Sequence, residues 1–239
     1  PLLPGLGGNG PVMVFEDADL DAAAAAGAGG AFFNAGQVCA ATGCVLAHAS
    51  VVDRLCDKLV AKAAEQVLGD PLHPATTMGP LNNAQVAAKV RAHVDDAVEQ
   101  GARVLCGGCA RPDLGSDLFF EPTVVRDVTP DMRLCREETF GPVVPVIAFQ
   151  DEAQALALAL QNDYGLSVGV FTQDIGRGIA MAKAIPAGIV NINAGTTWWE
   201  IHLPFGGGCG KKSGIGRLGG MHTLEAMTEI KMITVTLPG

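Results

Sequence analysis

The strongest constraint on this chain is a regular alternation of short apolar runs with helix-forming stretches. Strand-like runs fall at residues 12–15, 45–47, around Val104, 123–125, 143–147, 167–171 and 189–192. Helical stretches lie between them. They run from Asp17 or Asp19 toward Phe33, from Ser50 to near Leu68, from about Asn83 to Gln100, and over 152–161 and 175–184. The Asp and Ser starts supply oxygens for the free first-turn amides, while Gly69-Asp70-Pro71, Gly101 and Pro186 act as stops. Pro11 sits at a strand entrance, where a missing N–H costs little. Gly27, Gly29 and Gly30 weaken the first helix and predict close packing there. Helices interposed between strands return each strand in the same direction, so the fold class is α/β: a mostly parallel sheet flanked by helices. A glycine-rich stretch (206–220), a short helix near Leu224 and a strand at 230–237 complete the chain. That strand has no hairpin partner beside it in sequence, which predicts pairing with another chain.

The 239 residues make one large domain or two small ones. With 49% hydrophobic and 17% charged residues, long disordered stretches are not expected. A formal charge of −9 argues against nucleic acid or an anionic membrane as partner. No apolar run reaches the roughly 18 residues of a membrane span. No basic-then-apolar leader is legible. The first residue is Pro1 rather than Met, and the chain is expected to be a piece of something longer. Seven cysteines, an odd number at irregular spacing, read as reduced cytosolic thiols rather than a disulfide framework. Cys106-Gly107-Gly108-Cys109 is the single C-x-x-C; without a second pair or a nearby His, it reads as a glycine turn with two small thiols.

Three clusters have residue types suited to chemistry. Cys39 follows a helix in a loop of Asn34, Gly36 and Gln37, where glycine lets backbone amides approach a ligand. Such a thiol can act as a nucleophile whose carbonyl adduct sits in an oxyanion hole; the alternative is a buried core thiol. Glu137-Glu138 before Thr139-Phe140-Gly141-Pro142 offers carboxylates for sugar hydroxyls or base chemistry; the alternative is a solvated turn. The segment from Pro204-Phe205-Gly206-Gly207 to Ser213-Gly214-Ile215-Gly216-Arg217 lacks the strand–GxGxxG–helix layout of a dinucleotide fingerprint, and Lys211-Lys212 complete no Walker loop. His202 reads as a structural histidine, and Trp198 and Trp199 as core or an apolar pocket wall.

Taken in order, Leu6-Gly7-Gly8-Asn9, Phe33-Asn34-Ala35-Gly36-Gln37-Val38-Cys39, Glu138-Thr139-Phe140-Gly141-Pro142, Asn191-Ile192-Asn193 and Pro204-Phe205-Gly206-Gly207 with Ser213-Gly214 resemble the C-terminal half of the aldehyde dehydrogenase superfamily. The resemblance covers essentially the whole chain. It implies a catalytic domain over 1–229 and an oligomerisation strand over 230–239 that joins a neighbouring subunit. It implies that Cys39 attacks an aldehyde, that the thiohemiacetal yields hydride to NAD or NADP, and that a thioester remains. The Cys39 N–H would help hold the oxyanion. Glu138 would bind the nicotinamide ribose, with Phe140, Leu6 and Gly7 near the ring. Phe205, Trp199 and Val38 would line the aldehyde pocket. The implied setting is a cytoplasmic homo-oligomer acting on a small-molecule aldehyde, with no metal.

Three departures stand beside these matches. Where the family writes Glu-Leu-Gly-Gly, with the glutamate as base for deacylation, this chain has Gly5; the separation 39 − 5 = 34 is the family's usual one. Where the family writes Gly-Arg-Glu-x-Gly, this chain reads Gly216-Arg217-Leu218-Gly219. Gly208-Cys209-Gly210-Lys211-Lys212 carries two extra residues. Most of the family's coenzyme domain would lie before Leu6. The leading reading is therefore the catalytic part of an NAD(P)-dependent aldehyde dehydrogenase, impaired alone. An inactive truncated paralogue serving as an oligomerisation module is the alternative. Acyl transfer to a thiol such as coenzyme A is a third.

Overall fold

The computed structural model describes residues 3–239. Seven strands form one sheet: β1 (Gly10–Val14), β2 (Thr42–His48), β3 (Arg103–Cys106), β4 (Thr123–Arg126), β5 (Val143–Phe149), β6 (Ser167–Phe171) and β7 (Ile189–Ile192), in the order β3-β4-β5-β2-β1-β6-β7. Only β3–β4 is antiparallel; every other neighbouring pair runs parallel. Every residue of β1 and β6 is buried, as expected for strands covered on both faces.

Helices α1 (Leu20–Phe32), α3 (Ala84–Glu99), α5 (Glu152–Leu160) and α6 (Ile175–Ala184) fill the predicted intervals, while α2 (Val52–Ala64) stops short of the expected end near Leu68, because Val67 donates to the Thr77 hydroxyl and Leu68 bridges to Met78 instead. A one-turn α4 (Arg133–Arg136) and a short α7 (Gly220–Met227) complete them. Asp19, not Asp17, caps α1, accepting from the amides of Asp21 and Ala22. Asn83, Asp151 and Asp174 cap α3, α5 and α6 in the same way, each cap being worth about 1 kcal/mol. Ser50 does not cap α2. Its hydroxyl lies 2.8 Å from His48 Nδ1, and the helix starts one residue later on Val51 without a side-chain cap. The close-packing expectation holds for Gly30, where a Cβ would run into the Thr42 hydroxyl. It fails for Gly29, which faces open space. The core is aromatic at its centre, with Phe15 and Phe149 edge-to-face at 5.3 Å.

Residues 230–237 form no strand within this chain. Ile230, Met232, Ile233, Val235 and Leu237 are all strongly exposed. A strand needs a hydrogen-bonding neighbour, and this segment is paired with neither outer strand, β3 nor β7. Trp198 and Trp199 also depart from the core expectation, since both are substantially exposed. His202 is exposed too, 3.4 Å from Glu200. Among the described residues, no helix is long and apolar enough to cross a membrane, and all seven cysteines are free.

Candidate active site

Parallel pairing brings distant motifs to one edge. Strands β1, β2 and β5 are neighbours in the order β5-β2-β1, all pointing the same way. The segments that enter them therefore meet at their amino ends: Gly7-Gly8 before β1, Cys39 before β2, and Glu138 to Gly141 before β5. This is opposite to the usual ligand crevice of open α/β sheets, at the carboxyl ends where the winding reverses. Here the winding reverses between β1 and β6, and that crevice is filled. Arg177 lies over the Phe15 ring at 4.8 Å and pairs with Glu16 (2.8 Å), Asp17 (3.1 Å) and Glu152 (2.7 Å). Asp17 also accepts from the Thr172 hydroxyl at 2.9 Å, which is why it is not the α1 cap.

The Cys39 loop is built on unusual backbone. Asn34 (φ 52°), Ala35 (φ 53°) and Gly36 (φ 73°) are three consecutive residues in the left-handed region. Two of them are not glycine, a strain that the surroundings must hold. The side chains of Asn34 and Gln37 donate to each other's carbonyls, at 3.1 and 3.0 Å. Gln37 Oε1 accepts from the Asn82 amide at 2.8 Å. A Cβ on Gly36 would collide with the Gly141 carbonyl, so this turn is seated directly on the Glu138 segment. A second turn, closed by Ala41 N–H donating to the Val38 carbonyl at 3.0 Å, then presents Cys39 partly exposed.

The thiol is set by competing effects. Burial pushes its pKa above the ordinary thiol value, and the Glu138 carboxylate pushes the same way. The backbone N–H groups of Ala40 and Cys39 act against both. A Cβ on Gly8 would meet the Cys39 carbonyl oxygen, so the two loops touch backbone to backbone.

Glu138 lies across Gly7-Gly8. Its Oε1 accepts from the Gly8 amide at 2.9 Å, and a Cβ on Gly7 would stand 2.5–2.6 Å from its carboxylate oxygens. Burial pushes its pKa up against the Gly8 hydrogen bond and the Lys89 charge. Phe140 follows with a left-handed φ of 58°, beneath Lys89 Nζ at 5.9 Å from its ring centre. A carboxylate over bare glycine backbone, beside a partly exposed ring, offers an acceptor for hydroxyl groups next to an apolar face. Glu137 instead turns away to Arg133, which grips it through two hydrogen bonds of 3.0 and 3.1 Å.

The remaining motifs are tied into the fold by contacts of their own. Asn191 donates to the carbonyls of Gly195 (2.8 Å) and Trp198 (3.1 Å), shaping the loop after β7. Trp199 and Phe205 contact each other, ring centres 5.0 Å apart, and Phe205 pairs with Leu218 through two backbone hydrogen bonds of 2.7 Å. Gly5 pairs with Gly214, and Leu6 N–H donates to the Ser213 carbonyl at 3.4 Å. The lysines of the extra loop are anchors. Lys212 pairs with Asp163 at 2.6 Å, and Lys211 donates to the carbonyls of Leu160 and Asn162 at the end of α5. Cys106 to Cys109 form the glycine turn, with Gly107 and Gly108 both at positive φ. The sequence reading missed Lys89 and His93, which reach Glu138 and Thr139 from α3. Their signal was a four-residue spacing on a helix face.

Comparison with known proteins agrees with this fold. The profile described as "Aldehyde dehydrogenase family" matches residues 1–233. Vanillin dehydrogenase of Pseudomonas fluorescens is 40% identical over 98% of this chain and 47% of its own length. The NADP(+) succinate-semialdehyde dehydrogenase of Escherichia coli is 40% identical over 97% of this chain and again 47% of its own length. The chain thus spans about half the length of the curated relatives it matches. Betaine aldehyde dehydrogenase of Staphylococcus aureus, solved with NAD+ and a BME-modified cysteine, superposes with a TM-score of 0.87 at 38% identity, covering 93% of this chain and 45% of that one. An E. coli NADP-dependent enzyme gives 0.90 at 40% identity, over 95% of this chain and 46% of that one. The ordered motifs, the parallel sheet that gathers them and these matches together place the chain in the aldehyde dehydrogenase family.

Proposed function

We propose that this chain is the catalytic half of an NAD(P)-dependent aldehyde dehydrogenase, with Cys39 as nucleophile and a homo-oligomer completed through residues 230–239. The observation that carries the reading is the meeting of Cys39, held in a turn with two amides beside its sulfur, with Glu138 braced on Gly7-Gly8. Glu138, Phe140, Leu6 and Gly7 would hold the ribosyl nicotinamide. When bound, that coenzyme supplies the two-electron acceptor.

The chain's own residues define the rest. Cys39, partly exposed, loses its proton to solvent and its sulfur adds to the aldehyde carbon, forming a C–S bond while the carbonyl π pair moves to oxygen. The Cys39 amide donates to that oxyanion, a contribution typically worth about 2.7–4 kcal/mol per donor. Loss of the carbon-bound hydrogen with its electron pair leaves a thioester on Cys39. Water must then attack that thioester, and Gly5 has no group to accept a proton. Deacylation is accordingly the slow step. Val38, Trp199 and Phe205 would bound an apolar aldehyde pocket; the exposure of Trp199 and its contact with Phe205 support an open wall there. A second reading, an oligomerisation module without turnover, is favoured by the bare Gly5 together with the exposed apolar tail at 230–237.

Intact-mass analysis after treatment with an activated aryl ester separates the two. A single acyl adduct, absent in Cys39→Ala, is the expected result. The adduct should form faster as pH rises, because the thiol ionises above its ordinary value. No adduct at any pH would overturn the enzyme reading and leave the module.

A further inference from the structure

Helix α3 turns one polar stripe toward the segment that carries Glu138. Lys89, His93 and Asp96 recur at spacings of four and three residues, so they share a face. Lys89 Nζ donates to the Glu138 carbonyl at 3.1 Å, and Asp96 Oδ2 accepts from the Arg133 amide at 3.0 Å. Between them His93 is fully buried, with Nδ1 3.1 Å from the Thr139 hydroxyl. Its Nε2 lies 3.3 Å from Glu137 Oε2, within ion-pair range, yet makes no hydrogen bond. Among the described residues it is the one buried side-chain nitrogen or oxygen in that condition. Val90, one turn from His93's face, stands where a Cβ on Gly141 would fall, so the helix also presses on the far end of the segment.

The tautomer follows from the partners. Glu137 is held ionised by Arg133 and can only accept, so the proton of a neutral ring belongs on Nε2, and Nδ1 accepts from the Thr139 hydroxyl. Burial lowers the His93 pKa, as do the charges of Arg133 and Lys89, while Glu137 opposes them. Asp96, on the same stripe, is turned to the Arg133 amide.

We propose that His93 is the positioning residue of the Glu138–Phe140 segment: it clamps Thr139, between the two coenzyme-facing side chains, and so aims the Glu138 carboxylate at a ribosyl nicotinamide. This rests on the reading of Glu138 as the ribose ligand. Protonation of the ring places a hydrogen on Nδ1, so the Thr139 hydroxyl must turn and accept instead of donating. It also draws Glu137 from Arg133 toward the imidazolium. Acid therefore rewires the clamp.

The test is binding of nicotinamide mononucleotide to the 239-residue chain, with the His93 Cε1–H followed by NMR in the same samples. Thr139→Val and His93→Leu should bind about five- to ten-fold more weakly at neutral pH, the size of one buried hydrogen bond. Thr139→Ser, and His93→Asn with a polar atom in the place of Nδ1, should recover most of it. Wild-type affinity should drop as the His93 signal titrates, and Thr139→Val should lack that step. Glu138→Gln separates the two levels of the argument. If Glu138→Gln weakens binding while Thr139→Val and His93→Leu do not, the clamp is wrong and the ribose reading stands. If Glu138→Gln binds like wild type, or wild type binds no mononucleotide, both are overturned. Should His93→Leu fail to fold, the Thr139→Val and Thr139→Ser pair carries the same comparison.

Discussion

If Gly5 stands at the deacylation base position, as proposed, replacing it by glutamate should speed release of an acyl group from Cys39. The seat is already present. Gly5 is exposed, its φ lies outside the left-handed region, and the nearest atom to an added Cβ is Leu218 Cδ1 at 3.9 Å, an ordinary contact. Folding therefore should not suffer, and removal of a glycine restricts the unfolded chain by about 0.4–1 kcal/mol. Leu218 would line one side of the new carboxylate. Its apolar surface raises the pKa of a carboxyl group, which suits a base that works near neutral pH. A general base contributes about 10²–10⁴-fold, or about 3–5 kcal/mol of barrier. The assay is acylation of Cys39 by an activated aryl ester, followed by the decay of the acyl mass. The starting chain should show one burst and slow decay. Gly5→Glu should show continuing release, accelerated by two to four orders of magnitude. Gly5→Gln, equal in size but no base, should behave like the starting chain. A Gly5→Glu chain that is folded and acylated, yet deacylates at the original rate, would refute the assignment of this position.

Gly7→Ala should leave stability nearly unchanged yet weaken mononucleotide binding about ten-fold, because its Cβ displaces only the flexible end of Glu138; unchanged binding in a titration would break the link between Gly7 and Glu138. Gly36→Ala should cost about 2–3 kcal/mol in denaturant unfolding, since it adds a left-handed φ penalty and a collision with the Gly141 carbonyl. Stability should also fall in acid through Asp17. Burial pushes its pKa up, but hydrogen bonds from Thr172, Asp174 and Gln173 and the Arg177 charge outweigh this and hold it below the ordinary value. The folded state binds this proton less readily than the unfolded state does. The stabilisation is thus complete above the ordinary carboxylate pKa, about 4, and is lost as pH falls through the lower folded value. Asp17→Asn should flatten that part of the stability–pH curve, and an unchanged curve would remove Asp17 as its source.

The sequence by itself determined the local elements and the list of motifs. The apolar runs, the start at Asn83 and the stops at Gly101 and Pro186 placed α3, α5, α6, β6 and β7 within a residue or so, because such signals act over three or four neighbouring residues; the Asp151 and Asp174 caps emerged only with the structure. The boundary at Ser50 was misread because its hydroxyl found His48, a competitor on the preceding strand that a local signal does not reveal. The resemblance named Gly7, Cys39 and Glu138, but nothing local says that they meet.

Only the tertiary structure decided that. Residues 7, 39 and 138 share an edge because β1, β2 and β5 are parallel neighbours, and strand order depends on long-range pairing rather than on any single segment. The same order closed the opposite edge with Arg177, whose partners Glu16, Asp17 and Glu152 come from separate parts of the chain. It also set Gly5 where an added Cβ would stand 3.9 Å from Leu218 Cδ1, although the two lie more than two hundred residues apart in sequence. His93 was invisible beforehand for the same reason: a buried histidine on a helix has meaning only once the Thr139 hydroxyl is found beside it. The exposed segment 230–237 shows the converse limit. Its alternating pattern is legible in sequence, but a strand exists only where a second backbone supplies the hydrogen bonds.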